Sequence, residues 1–375
     1  MSSLWAVADT HVAALIEEAH QTAIRDALTF IERHALFTRQ GRNGIRQVNV
    51  TGLVATAFTH RDSRAGDPDL HTHVAVANKV QTLDGRWLSI DGRVLFKATV
   101  AASETYNTAL ERHLNDRLGV RFADQTDTEP GKRPVREIVG VDPVLNNRWS
   151  TRRVLIKMRQ GELASRFQRD HGRPPTPVEA LQLAQQATLE TRDAKHEPRT
   201  LTEQRTAWHA QAAETLGGPD SVQAMINHAL NPDFVLSPAV DAEWMAATAE
   251  KVLAAVEERR STWQSWHVRA EALRHIRAVQ VPTGKVEQLV ELLVTEVLQT
   301  RSVALTRPDD SITEPVVLRR SDGSSVYKVA GSELFTSTSI LAAEQRLVAT
   351  AGRTDGRVLG SATVELALLA TAAAK

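Results

Sequence analysis

The segment from Val48 to Ala77 constrains the fold of this chain most, because it combines two strand-like runs, a turn cluster and three histidines. An apolar run rich in β-branched residues leads into His60, and His71 and His73 lie directly beyond the cluster Gly66-Asp67-Pro68-Asp69. Glycine and proline in such a cluster favour a tight turn, since glycine allows positive φ and proline presets φ at about −65°. The segment therefore predicts an antiparallel strand–turn–strand unit.

The three histidines of this unit predict a metal site. His71 and His73 are two residues apart, so their side chains lie on one face of a strand, and the turn brings His60 back towards that face. A pair of histidines at this spacing is often an ordinary surface feature, but the third histidine and the turn favour ligation. Three imidazoles with open coordination positions are typical of catalytic metal sites. The spacing does not select the ion, since imidazole suits Zn, Ni, Cu, Mn and Fe, and Mg²⁺ can be held with added phosphate oxygens.

The stretch FTHRDSRAGDPDLHTHVAVANKVQTLDGRWLSIDGRVLF closely resembles the three-histidine motif of conjugative relaxases of the MobF (TrwC/TraI) type. Weaker matches to the same family extend over most of residues 4 to 210. They are Leu4–Val7, Phe37–Gly44, Gly161–Pro174 and Thr191–Lys195.

This resemblance implies nicking of single-stranded DNA by transesterification, in which a tyrosine attacks a phosphate held on a metal ion. The family's metal ligands carry over onto His60, His71 and His73. Mg²⁺ or Mn²⁺ is then the expected ion, with Zn²⁺ or Ni²⁺ as alternatives. The expected partners are single-stranded DNA at a transfer origin and other conjugation proteins.

The chain departs from the family pattern at the nucleophile. The family's nucleophilic tyrosines lie far upstream of the histidine motif, whereas the two tyrosines here, Tyr106 and Tyr327, both lie downstream. Tyr106 falls on the apolar stripe of an amphipathic helix and is expected to pack there. We therefore expect that the chain begins inside the relaxase domain, lacks a catalytic nucleophile and does not nick DNA by itself.

The metal-orienting aspartate of the family lies on a strand that is also expected to be missing. Asp62, Asp67 or Asp69 is an alternative source of the orienting carboxylate, but turn formation and solvation are their expected roles. No carboxylate is therefore assigned to orient the ligating histidines.

DNA contact is expected to rest on local basic patches, because 45 basic and 45 acidic residues give a net charge of zero. Arginine and lysine side chains position a nucleic acid through its phosphates without reading its sequence. The candidate DNA-binding residues are Arg39, Arg42, Arg46, Arg61, Arg64 and Lys79.

The expected fold class is α+β, with an antiparallel sheet that carries the His triad and is packed by helices, as in a truncated relaxase palm. A long helix capped at Asp9 or Thr10 precedes the strands, and another is expected from Lys97 to about Arg121. The relaxase domain is assigned to residues 1–217, ending at the breaker Gly217-Gly218-Pro219-Asp220.

Residues 218–375 are expected to form a largely helical linker and a small mixed α/β module, including a hairpin over residues 316–329. This part resembles the lead-in to a helicase-like domain, but no GxxxxGK[ST] phosphate loop is present, so no ATPase activity is expected.

Two other functions stay open at this point: an unrelated three-histidine hydrolase or oxygenase, and an inactive DNA-binding remnant. Cupin-type sites also use a His-x-His pair, but their further ligands follow it, whereas His60 precedes it. The absence of cysteine excludes disulfides and thiolate zinc sites, and with no long apolar run or signal peptide we expect a cytoplasmic protein.

Overall fold

The computed structural model describes residues 1–125, 133–192, 197–233, 237–305, 314–353, 355–356 and 359–373. The helices are α1 (Ser2–Val7), α2 (Thr10–His34), α3 (Gly92–Leu118), α4 (Pro143–Arg148), α5 (Thr151–His171), α6 (Pro177–Glu190), α7 (Leu201–Leu216), α8 (Pro219–Leu230), α9 (Ala242–Glu257), α10 (Ser265–Arg277), α11 (Val286–Thr295), α12 (Thr338–Ala351) and α13 (Ser361–Ala373). The strands are β1 (Thr38–Gln40), β2 (Arg46–Val48), β3 (Ala55–Asp62), β4 (Pro68–Val76), β5 (Val80–Gln81), β6 (Trp87–Leu88), β7 (Phe122–Asp124), β8 (Arg136–Ile138), β9 (Val303–Ala304) and β10 (Phe335–Thr336). None of the helices described is long and apolar enough to span a bilayer.

The two long helices α2 and α3 pack against each other and support the strands. The carboxylate of Asp9 accepts a hydrogen bond from the backbone N–H of Val12, which confirms the predicted cap of α2. Helix α3 begins at Gly92, five residues before the predicted start at Lys97, and the side chain of Asp91 caps it. Its end at Gly119, with φ of 69°, is a left-handed glycine cap.

Antiparallel pairing is confirmed, but the described strands form five two-stranded pairs instead of one sheet. The β3–β4 pair is the longest, and its register places His60 directly opposite His71. A bulge interrupts the ladder between His60 and Asp62, just before the turn. The outcome is a narrow ribbon, and one of its apolar side chains, Phe58, remains 53% exposed.

The main core joins α1, α2, α4, α7 and α8 beneath the turn of the ribbon. Trp5 and Trp208 are fully buried there, with ring centroids 5.5 Å apart, and the indole N–H of Trp208 donates to the carbonyl of Gly66 at 2.9 Å. Helix α8 follows the breaker at Gly217-Gly218, yet Met225 belongs to this same core. The first core therefore continues past the predicted boundary to the end of α8.

A second core lies between α9, α10 and α11 and docks on α3. The guanidinium of Arg112 on α3 donates to the carbonyl of Ile276 at 2.7 Å and to that of Val279, at the end of α10. The carboxylate of Glu104 on α3 pairs with Arg274 at 2.6 Å and with Arg277. Buried apolar surface and charge-assisted hydrogen bonds thus join the two parts.

The hairpin predicted over residues 316–329 is wrong. Val316–Leu318 form a 3-10 turn after Pro315, and Arg319 and Ser325 share one isolated bridge. The turn at Ser321-Asp322-Gly323 does form, with the N–H of Gly323 bonded to the carbonyl of Arg320 at 2.9 Å. The N–H of Leu318 bonds to the carbonyl of Pro315 at 2.9 Å, so the residues of the predicted first strand are turned instead of extended.

Candidate metal centre

The ribbon brings His60, His71 and His73 together on one face. Their ring centroids are 5.3 Å apart for His60 and His71, 5.1 Å for His60 and His73, and 5.0 Å for His71 and His73. One ring nitrogen from each lies within 4.8 Å of the other two, which is close enough for a single ion to bind all three. This convergence follows from the cross-strand register, because paired residues share a face of the ladder.

One ring nitrogen of His71 is bonded to Asp69, two residues before it. Nδ1 of His71 lies 2.7 Å from the carbonyl oxygen of Asp69, and since a carbonyl only accepts, Nδ1 carries the proton. The carboxylate of Asp69 lies 3.4 Å from the same nitrogen. Nε2 is therefore left for a metal, and Asp69 sets the tautomer and the ring orientation.

The opposite face of the ribbon is tied to α2 and α3. Thr72 lies between the two histidines of β4, and its hydroxyl is 2.9 Å from Nε2 of the buried His20. Nδ1 of His20 is 2.7 Å from the hydroxyl of Tyr106. Burial, and next the charge of His71, lower the pKa of His20, and burial raises the pKa of Tyr106 to about 12. Tyr106 therefore stays protonated, and through His20 it positions β4 from the face opposite the histidine triad.

The turn between β3 and β4 is anchored by its two other aspartates. Asp67 is buried and accepts hydrogen bonds from the backbone N–H and the hydroxyl of Thr151, at 3.0 and 3.1 Å. Burial raises the pKa of the Asp67 carboxyl, while the Thr151 hydrogen bonds oppose that shift. Asp62 accepts from Gln204 at 2.8 Å and pairs with Arg199 at 3.2 Å. These carboxylates hold the start of α5 and α7 against the ligand turn.

The histidines open into a cleft of about 630 Å³ between the ribbon and the helices α5 and α6. Besides the histidines it is lined by Asp62, Ser63, Arg64, Asp69, Arg152, Thr188, Leu189 and Arg192. The sequence reasoning missed Arg152 and Arg192. One signal was available for Arg152: no acidic residue lies three or four positions away on its helix, so a local ion pair is excluded.

Of the six basic residues predicted to bind DNA, Arg64 is the one that lines this cleft. Arg39 pairs at 2.7 Å with the buried carboxylate of Asp91 and so supports the fold. The other four are found as follows: Arg42 and Lys79 are exposed, and Arg46 and Arg61 are partly buried. Arg64 is thus the member of this set that the cleft brings next to the histidines.

The hydrogen bond between Tyr106 and the buried His20 leads to a test by Tyr106→Phe. Removing the hydroxyl leaves Nδ1 of the buried His20 without its partner, so we expect the free energy of unfolding to fall by about 1–2 kcal/mol. Urea denaturation measures this. Tyr327→Phe is the matched control, because Tyr327 is 48% exposed and should change stability by less than about 0.5 kcal/mol. Equal stability of the two variants would contradict the positioning role.

Comparison with known proteins points to one family. The family model "TrwC relaxase" matches residues 1–215. The multifunctional conjugation protein TraI of Escherichia coli is 34% identical over 185 residues, which is 48% of this chain and 9% of that protein. A structure of a conjugative relaxase TrwC with oriT DNA, copper-bound, is 27% identical with a TM-score of 0.45, covering 57% of this chain and 67% of that one. A metal-bound structure of such a complex is also 27% identical, with a TM-score of 0.44, covering 54% and 64%.

Proposed function

Since the chain belongs to the TrwC relaxase family, we propose that it binds single-stranded DNA of a transfer origin with one phosphate at a metal ion on His60, His71 and His73. The chain spans about a tenth of the curated relative it matches, so this proposal concerns the relaxase region and not the relative's full set of activities.

The observation that carries the proposal is the convergence of the three imidazoles on the open face of the ribbon. Their donor atoms lie within 4.8 Å of one another, and the tautomer of His71 is set by Asp69. Three neutral nitrogen donors leave coordination positions for phosphate oxygens. A divalent cation bound there would neutralise charge on the phosphate. Mg²⁺ and Mn²⁺ are the ions we propose, because both accept phosphate oxygens.

Around that position the chain supplies further contacts for the DNA backbone. Arg64 lies in the cleft with the histidines, and we propose that it contacts the bound strand. Arg42, Arg46, Arg61 and Lys79 extend the candidate surface beyond the cleft, while Arg39 holds Asp91. Contacts of this kind fix the path of the strand and not its sequence.

We further propose that this chain forms no covalent tyrosyl–DNA intermediate. A nucleophilic tyrosine must lie in line with the metal-held phosphate and lose its proton. Tyr106 is on the helix side of the ribbon, bonded to His20, and burial raises its pKa to about 12. Tyr327 is not among the residues that line the cleft.

Fluorescence anisotropy with a labelled single-stranded oligonucleotide tests the proposal. We expect Mn²⁺ to tighten binding by wild-type protein about tenfold and to have little effect on His71→Ala, because the ion links phosphate to imidazole. Binding should weaken as salt rises, since phosphate contacts release counterions. Denaturing gel electrophoresis should show no covalent adduct. Salt-insensitive binding, equal Mn²⁺ effects in both proteins, or an adduct lost in Tyr106→Phe would contradict the proposal.

A further inference from the structure

Helices α5 and α6 form a hairpin that projects from the body of the protein. Their principal packing is with each other, and Leu163 and Ala187 are the buried residues on the two helices. Several apolar side chains of the hairpin are exposed, among them Leu155, Met158 and Leu189. A helical hairpin that leaves apolar surface uncovered beside a cleft offers that surface to a ligand.

The start of α5 is fixed to the ligand turn, and the end of α6 is fixed to α5. At the start of α5, Thr151 donates two hydrogen bonds to Asp67 in the ligand turn, and Arg152 is the next residue. At the end of α6, Glu190 accepts from Arg159 of α5 at 2.6 Å, and Arg192 follows two residues later. Arg152 and Arg192 therefore reach the same cleft from two different helices.

These two guanidinium groups differ from most other arginines of the hairpin. Within the part of the chain that the structure describes, the guanidinium groups of Arg152 and Arg192 have no hydrogen-bond or ion-pair partner, although the backbone N–H of Arg192 bonds to the carbonyl of Leu189. By contrast, Arg159 bonds Glu162 and Glu190, and Arg173 binds Glu179 through two nitrogens. Two unpaired guanidinium groups in one cleft create a strongly positive potential.

The acids of the cleft do not compensate this charge. Asp62 is engaged by Arg199 and Gln204, and Asp69 is engaged by His71. A cation on the three histidines would add to the positive charge. A cleft with this positive charge suits an extended anionic ligand. Arginine forks match phosphate oxygens in geometry as well as charge.

We propose that Arg152 and Arg192 each bind a phosphate of single-stranded DNA on either side of the phosphate at the His triad. The strand then passes between the β3–β4 ribbon and the α5–α6 hairpin, with its sugars and bases against Leu189 and Thr188. This inference rests on the proposed function, because the central phosphate is the one assigned to His60, His71 and His73.

The test compares Arg152→Gln, Arg192→Gln and Arg153→Gln in the full chain by anisotropy, with the same oligonucleotide and Mn²⁺. Arg153 is the matched control: it is adjacent on α5 and loses the same charge, but it lines a separate cavity with Lys157. Loss of one charge-assisted contact should weaken binding about tenfold for Arg152→Gln and for Arg192→Gln. The slope of log K against log salt should also fall by about 0.7 for each. Arg153→Gln should change affinity less than about twofold.

Neutral methylphosphonate linkages, placed one at a time along the oligonucleotide, identify the contacted phosphates. A methylphosphonate at one position should weaken DNA binding by wild-type protein about tenfold and leave the affinity of Arg152→Gln unchanged. A methylphosphonate at a second position should have the same effect on wild-type protein and leave the affinity of Arg192→Gln unchanged. The factor by which Mn²⁺ tightens DNA binding should be the same in both variants and in wild-type protein. The reason is that the ion binds a third phosphate, the one at the His triad.

The outcomes separate the two proposals. If wild-type protein binds no single-stranded DNA, or binds it without any response to Mn²⁺, the proposed function fails. If wild-type protein binds with the Mn²⁺ response but Arg152→Gln and Arg192→Gln match Arg153→Gln, the inference about the arginines alone is overturned. Loss of the Mn²⁺ response in either arginine variant would also overturn it, because the arginine would then support the metal site.

Discussion

His71→Ala is expected to weaken divalent-ion binding by about 100-fold or more, because it removes one of three ligands. His71 is central to the triad, since it pairs with His60 across the ribbon and lies two residues from His73. It is also the ligand whose tautomer Asp69 sets. Without this imidazole the two remaining donors form an incomplete site.

Isothermal titration with Mn²⁺ measures this effect, with circular dichroism to show that the variant remains folded. His171→Ala is the matched control, because His171 is exposed on α5, away from the triad. Its ring stacks on that of Phe167, with the ring centroids 4.0 Å apart. We expect one bound ion per chain for wild-type protein and for the control. The same stoichiometry and affinity in His71→Ala would show that the triad is not the metal site.

Gly140→Ala is expected to produce a large loss of stability. Gly140 has φ of 89°, and a Cβ there would lie 2.7 Å from the backbone nitrogen of Ala229 and 2.9 Å from its Cα. The left-handed backbone costs an alanine about 1 kcal/mol, and displacing the backbone of α8 adds about 1–3 kcal/mol. We expect the free energy of unfolding to fall by about 3 kcal/mol, measured by urea denaturation with tryptophan fluorescence.

The control for this change is Gly172→Ala. Gly172 has φ of 67° with open space around it, so the substitution should cost only the backbone term of about 1 kcal/mol. Equal losses for the two variants would mean that the turn after β8 does not rest on α8.

Several parts of the molecule were predictable because their determinants are close together in the sequence. The histidine spacing, the two strand-like runs and the Gly66-Asp67-Pro68-Asp69 turn together predicted an antiparallel ribbon that brings His60 towards the face of His71 and His73. Asp9 or Thr10 was predicted to cap α2, and Asp9 is the cap. The helical spacing around Tyr106 predicted a packing role, and its partly buried hydroxyl is bonded to His20.

Other parts depended on contacts between distant residues. Asp67 was expected to act in turn formation and solvation, but it is buried and holds Thr151, 84 positions away. The two runs Val316–Arg319 and Val326–Val329 predicted a hairpin, but within the described residues they form no strands, and one isolated bridge joins Arg319 to Ser325. Gly217-Gly218 signalled an end to the first domain, although α8 beyond it packs on the same core.

The sequence by itself determined the family, the three candidate ligands and the ribbon that brings them together, since each follows from spacing within one strand–turn–strand unit. Only the tertiary structure decided which other side chains meet that unit: His20 and Tyr106 behind it, and Arg152 and Arg192 across the cleft. The physical reason is that periodicity specifies which face of an element a residue occupies. The partner of that face is selected by packing among elements far apart in the chain, which no local pattern encodes.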